Sequence, residues 1–168
     1  VHAVAGDLQH RQKQGGQQHG NGRDQPRLWI GGHRGHASAT RENTTANFAE
    51  VLGMGVDYIE IDVQLTRDRQ AVIFHDMALE ERTPLHGHIR DYTVAELKAA
   101  FEIDTLEEAL AWCKAHGMAV LLEVKSCELL MHEDMPTLAQ RIVEALQKAE
   151  ACFDSMMRMY DDPTADPF

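Results

Sequence analysis

Ile59-Glu60-Ile61-Asp62-Val63 sets two carboxylates two residues apart inside an apolar, β-branched run. Residues two apart on a strand share a face. Glu60 and Asp62 therefore project together, and Ile59, Ile61 and Val63 project to the opposite side. Two carboxylates held side by side repel unless a cation or an arginine stands between them. An all-oxygen pair suits a hard divalent ion such as Ca²⁺ or Mg²⁺. Taken alone, the pentapeptide fits equally well as the solvated face of an antiparallel strand.

Three further apolar runs end in chemistry-bearing side chains. Leu28-Trp29-Ile30-Gly31-Gly32 leads into His33-Arg34-Gly35, Ala71-Val72-Ile73-Phe74 into His75-Asp76, and Met118-Ala119-Val120-Leu121-Leu122 into Glu123-Val124-Lys125. Each run has the length and composition of a buried strand. A parallel α/β sheet builds its site beyond the carboxyl ends of its strands. Convergence of imidazole, guanidinium, carboxylate and ammonium at one sheet edge is hard to explain as solvation. Each member also has a plainer reading: His75 as the cap of a loop, Glu123 and Lys125 as an ion pair on one strand face, Glu42 as a helix-start charge.

The elements that must position these groups alternate between strand and helix. Strand 28–33 is followed by Thr45–Leu52, where Phe48, Val51 and Leu52 form a helical stripe that Gly53 and Gly55 end. Strand 57–63, a turn through Arg67-Asp68-Arg69-Gln70, and strand 71–75 come next. Thr93-Val94-Ala95-Glu96 and Thr105-Leu106-Glu107-Glu108 read as capping boxes that open two helices. The second carries Leu106, Ala109, Leu110 and Cys113 on one face and has Gly117 as its C-cap. Strand 118–124 follows, then a helix from Pro136 with Leu138, Ile142, Val143, Leu146 and Ala149 on one face. The β-α-β-β-α-α-β-α order argues for a parallel sheet in a layered or barrel α/β domain. A closed eight-stranded barrel takes ~250 residues, so the chain is expected to be about half a barrel, truncated or completed by self-association.

The chain has 168 residues and a net charge of −11, from 16 basic and 27 acidic residues. A nucleic acid or an anionic membrane surface needs a cationic footprint, so no nucleic-acid partner is expected. A phosphate substrate stays open, because a metal and a few basic residues can reverse the local field. Cys113, Cys127 and Cys152 contain no CxxC pair and read as reduced structural cysteines. No apolar run is long enough for a transmembrane segment. No signal-type apolar region opens the chain, which gives a cytoplasmic expectation. Residues 1–26, rich in Gln, Gly and His, are expected to be a disordered tail that includes His10 and His19. The domain is expected over 27–152 and a C-terminal tail over 153–168.

His33-Arg34-Gly35, Glu42-Asn43-Thr44, the segment from Gly55 to Asp68 and Val72-Ile73-Phe74-His75-Asp76 together resemble the signature of the glycerophosphodiester phosphodiesterase family. Arg82-Thr83, Thr105-Leu106-Glu107-Glu108 and Glu123-Val124-Lys125 match further family landmarks in the same order, so the similarity covers roughly residues 28–126. The resemblance implies a TIM barrel that hydrolyses glycerophosphodiesters to glycerol 3-phosphate and an alcohol. It implies Glu60, Asp62 and Glu123 as ligands of a divalent cation, Ca²⁺ or Mg²⁺. It implies His33 and His75 as the acid–base pair, Arg34 and Lys125 as phosphate holders, and Glu42 in the same pocket. Arg41 stands where the family usually has proline, which is expected to loosen that loop. The loop between His75 and Thr93 carries His86, Gly87 and His88 in place of a glycine-rich form. A lysophospholipid headgroup as substrate and a half-barrel that associates without catalysis are the competing expectations.

Overall fold

The computed structural model describes residues 2–5, 29–36, 41–125, 134–149 and 157–158. The elements in chain order are β1 (His2–Ala5), β2 (Gly31–His33), α1 (Thr45–Val51), β3 (Tyr58–Leu65), β4 (Ala71–Ile73), α2 (Val94–Ala100), α3 (Leu106–Ala115), β5 (Ala119–Val124), α4 (Met135–Lys148) and β6 (Met157–Arg158). Short 3₁₀ turns lie at Leu79–Glu81 and Ile89–Asp91.

β3 is the axis of the fold. It pairs in parallel with β2, with His33 opposite Glu60. On its other side it pairs in parallel with β5, with Asp62 opposite Glu123. Both faces of β3 are buried: Ile59, Ile61 and Val63 on one, Glu60, Asp62 and Gln64 on the other. The apolar face packs with Phe48 and Val51 of α1, Leu106, Ala109, Leu110 and Cys113 of α3, and Leu138, Ile142, Ala145 and Leu146 of α4. Burying each such Ile or Leu side chain stabilises by roughly 1.5–3 kcal/mol. A second apolar cluster of Val72, Phe74, Leu79, Ile89, Leu97, Phe101 and Ile103 anchors the long segment after β4.

Local signals set the helix starts. Thr93 and Thr105 each accept the amide of the residue three positions on, and Glu96 and Glu108 return the contact. Thr44 caps α1 by accepting the Asn47 amide. Gly117 ends α3 at φ +61, a left-handed conformation that glycine adopts without a side-chain clash.

Four expectations are revised. β4 is not a fourth parallel strand: it returns antiparallel along the end of β3, with Leu65 opposite Ala71 and Val63 opposite Ile73. A tight turn forces this, with Thr66 N–H donating to Gln70 O at 2.9 Å and Arg69 at φ +58. Leu52 and Val143 lie exposed at the margins of their helical stripes, while Ala145 takes an inward place. Four residues of the expected N-terminal tail form β1, antiparallel to β5, and β6 pairs with β1 from the expected C-terminal tail. His10, His19, Cys127 and Cys152 lie outside the described residues. Arg41 does not leave its loop slack: its guanidinium donates to Glu102 O at 3.0 Å and lies 5.0 Å from the Phe101 ring centre. No helix among the described residues is long and apolar enough to cross a membrane.

Candidate active site

The polar face of β3 supplies the floor of the site. Glu60 and Asp62 project from it, Glu123 joins them from β5, and an oxygen of each lies within 4.8 Å of the others. Parallel in-register pairing makes this arrangement, because directly opposed residues share a face.

The β2 end brings the basic groups. His33 Nε2 stands 3.8 Å from Glu60 Oε2. Arg34 then turns the chain at φ +56, a conformation that costs a non-glycine residue of order 1–3 kcal/mol. The turn aims its amide at Glu60 Oε2 at 3.1 Å. Its guanidinium reaches Glu42 Oε1 at 3.1 Å and Asp62 Oδ2 at 3.4 Å. Gly35 follows at φ +89, and a Cβ there would stand 1.9 Å from Asn47 Oδ1. That oxygen already accepts the His36 amide at 2.6 Å, so it cannot give way freely.

The returning β4 brings the second histidine. Phe74 N–H donates to Asp62 O at 3.0 Å, which draws the end of β4 back beside the carboxylates. Gln64 Nε2 lies within donating distance of the carbonyls of Phe74, His75 and Asp76, at 2.8, 3.2 and 3.0 Å. His75 Nδ1 lies 2.7 Å from Asp76 Oδ1. An ionised carboxylate only accepts, so this contact places the proton on Nδ1 and leaves Nε2 as the ring's acceptor.

The site is short of positive charge. Lys125 Nζ lies 2.8 Å from Asp62 Oδ1 and 2.5 Å from Glu123 Oε1. Burial alone would lower the Lys125 ammonium, but its bonds to Asp62 and Glu123 and their charges outweigh that and raise it. Glu60 goes the other way for a carboxyl: burial first, then the Asp62 and Glu123 charges, push it up to about 7. The Arg34 amide and Lys125 oppose this without cancelling it. Glu60 Oε1 is buried and accepts no hydrogen bond from the described residues. A buried carboxylate oxygen with no donor, among two other carboxylates, is what a hard cation would satisfy. The residues present therefore fit a divalent cation held by Glu60, Asp62 and Glu123.

Every site residue expected from sequence falls in this neighbourhood. His33, Arg34, Glu60, Asp62, Glu123 and Lys125 form one linked group, while Glu42 and His75 form a second with Asp76. Arg34 joins the two through Glu42. Sequence reasoning gave no role to Asn43, Gln64, Asp76 or Arg82. Asn43, buried at φ +56, donates Nδ2–H to Asp62 Oδ2 at 2.8 Å and accepts the Asp62 amide at 3.2 Å. Its place between Glu42 and Thr44, and that of Asp76 beside His75, were the available signals. Gln64 continues the Glu60, Asp62 alternation by one step. Arg82 is marked by no spacing rule, and its signal was the Arg82-Thr83 landmark of the family resemblance.

Residues 33–160 match the glycerophosphoryl diester phosphodiesterase family. A glycerophosphodiester phosphodiesterase of Caldanaerobacter subterraneus subsp. tengcongensis is 30% identical over 128 residues, which is 69% of this chain and 51% of that protein. The solved structure of an Oleispira antarctica phosphodiesterase in complex with the product sn-glycerol-3-phosphate is 32% identical at a TM-score of 0.65, over 73% of this chain and 53% of that one. The crystal structure of a Thermotoga maritima glycerophosphodiester phosphodiesterase is 28% identical at a TM-score of 0.61, over 76% of this chain and 53% of that one. The chain spans about half the length of these relatives. The solved neighbours are TIM barrels, and this chain is a partial barrel of that type. With its motifs in order over most of the matched span, the chain belongs to the glycerophosphoryl diester phosphodiesterase family.

Proposed function

We propose that the chain carries the catalytic half of a metal-dependent hydrolase that splits glycerophosphodiesters into glycerol 3-phosphate and an alcohol. The observation that carries this reading is the buried Glu60 Oε1, which accepts no hydrogen bond from the described residues, within a three-carboxylate group that His33, Arg34 and Lys125 contact and beside which the Glu42, His75 and Asp76 group is joined through Arg34. A phosphodiester is anionic and repels nucleophiles, so cleavage needs neutralising charge, a base and an acid. A Ca²⁺ or Mg²⁺ ion held by Glu60, Asp62 and Glu123 would supply positive charge against the phosphate oxygens. Arg34 can fork onto two phosphate oxygens and Lys125 adds a point charge.

The two histidines divide the proton work. One takes the proton of the attacking oxygen. The other protonates the alcohol oxygen as its bond to phosphorus breaks. Asp76 suits His75 to such a task, because it holds the ring in one tautomer. Glu42 steadies Arg34 from the side away from Asp62.

The test is release of glycerol 3-phosphate from a glycerophosphodiester. Release is expected with Ca²⁺ or Mg²⁺ and is expected to stop on chelation with EDTA. Glu60→Gln with Asp62→Asn is expected to abolish both release and cation binding by calorimetry. A folded wild-type chain that binds the cation and releases nothing refutes the proposal.

A further inference from the structure

The geometry points to Arg82 as a positioning residue that bridges Asp76 and Glu42, and so joins the His75 arm of the site to the Arg34 arm. Its Nε lies 2.7 Å from Asp76 Oδ2, and its Nη1 lies 3.6 Å from Glu42 Oε2. Asp76 Oδ1 holds His75 Nδ1, and Glu42 Oε1 holds Arg34 Nη1. Each carboxylate thus sets one oxygen on a working residue and the other within ion-pair distance of Arg82. The chain of contacts runs His75, Asp76, Arg82, Glu42, Arg34, Asp62.

The need for such a bridge is electrostatic. Glu42, His75 and Asp76 each bring a polar atom within 4.8 Å of the others, and both carboxyl side chains are largely buried. Two carboxylates that close repel unless a cation separates them. The planar guanidinium can address both at once, and a cation at the same place still faces Asp76. Arg82 itself is half-exposed, so no packing demand explains the arginine.

The backbone is built to present it. Arg82 follows the 3₁₀ turn Leu79–Glu81, and its amide donates to Leu79 O at 3.2 Å. Leu79 is fully buried, and Thr83 returns both its amide and its hydroxyl to the same carbonyl. Arg41 adds a contact from the Glu42 side, with Nη2 3.5 Å from Arg82 O. The loop carrying Glu42 and the loop carrying Asp76 are therefore tied at the backbone as well as through the Arg82 side chain.

This inference rests on the acid–base role proposed for His75, and its first readout is independent of turnover. Long-range ¹H–¹⁵N NMR of the full chain at alkaline pH reports which ring nitrogen of His75 carries the proton. The wild type is expected to show the Nδ1–H form alone. Arg82→Gln is expected to show a mixture of tautomers, and Arg82→Lys to recover most of the Nδ1–H form. Arg82→Ala repeats the comparison should the glutamine variant not fold. In hydrolysis, Arg82→Gln is expected to lower kcat about tenfold with KM little changed. An unchanged His75 tautomer in a folded Arg82→Gln or Arg82→Ala chain overturns the bridge. A rise in KM matching the fall in kcat also overturns it, because Arg82 would then be touching substrate. Absence of hydrolysis in the wild type counts against the proposed function alone, and the tautomer comparison still decides the part played by Arg82.

Discussion

Glu60 is the residue where electrostatics and function meet. Its carboxyl is raised from 4.5 to about 7, chiefly by burial and then by Asp62 and Glu123. Below the unfolded value both states of the chain hold the proton. Between 4.5 and about 7 the unfolded chain has released it while the folded one retains it, so stability falls as pH rises through that window. The loss is complete above the folded value and amounts to about 3 kcal/mol at most. Thermal unfolding in EDTA across this pH range is expected to show the decline, and Glu60→Gln to flatten it. Equal slopes in the two proteins would remove this account. The histidines make a separate prediction. His33→Ala and His75→Ala are each expected to cost ~10²–10⁴-fold in turnover with cation affinity nearly unchanged by calorimetry. Equal loss of affinity in both would contradict the division between acid–base and ligand roles.

At the scale of elements, the turn after β2 and the hairpin after β3 decide whether the side chains meet. Gly35 and Gly117 both adopt positive φ, but only Gly35 has a neighbour in the way. Gly117→Ala is expected to cost about 1 kcal/mol, the backbone strain alone. Gly35→Ala is expected to cost about 1–3 kcal/mol and to displace Arg34, because its Cβ collides with Asn47. Thermal melts of the two variants make the comparison, and equal destabilisation would show that the Asn47 contact yields. The capping boxes at Thr93 and Thr105 were legible in the sequence because a cap is decided within four residues. The direction of β4 was not, because hydrophobic alternation carries no sign of direction. The inward Ala145 and outward Val143 were also illegible. An apolar stripe tells how wide a face is, and the packing of α3 and the sheet tells which margin turns in.

For the whole molecule, the sheet runs β2, β3, β5, β1, β6, and β2 has no strand neighbour on its outer edge among the described residues. Trp29 and Ile30 lie exposed at the approach to that strand, and Leu52 and Met54 at the end of α1. An open edge flanked by apolar side chains invites pairing. We expect the 168-residue chain to self-associate, read as a mass above that of the monomer by light scattering after size exclusion. A monomer at every concentration tested would exclude association through this edge. Cys113 gives no route to a covalent dimer: it is buried in the core, and burial pushes its thiol up to about 12.

The amino-acid sequence by itself determined the inventory and the local geometry of this protein. It set a carboxylate pair on one face of a strand, basic groups at the ends of apolar runs, and helix starts at threonine–glutamate boxes. These follow from backbone periodicity and contacts within a few residues. Only the tertiary structure decided that Glu123 stands opposite Asp62, that β4 doubles back to set His75 beside the acidic floor, and that Arg82 spans Asp76 and Glu42. Strand register, strand direction and loop bridging are set by which distant surfaces bury one another. No short window of sequence contains both partners of such a contact.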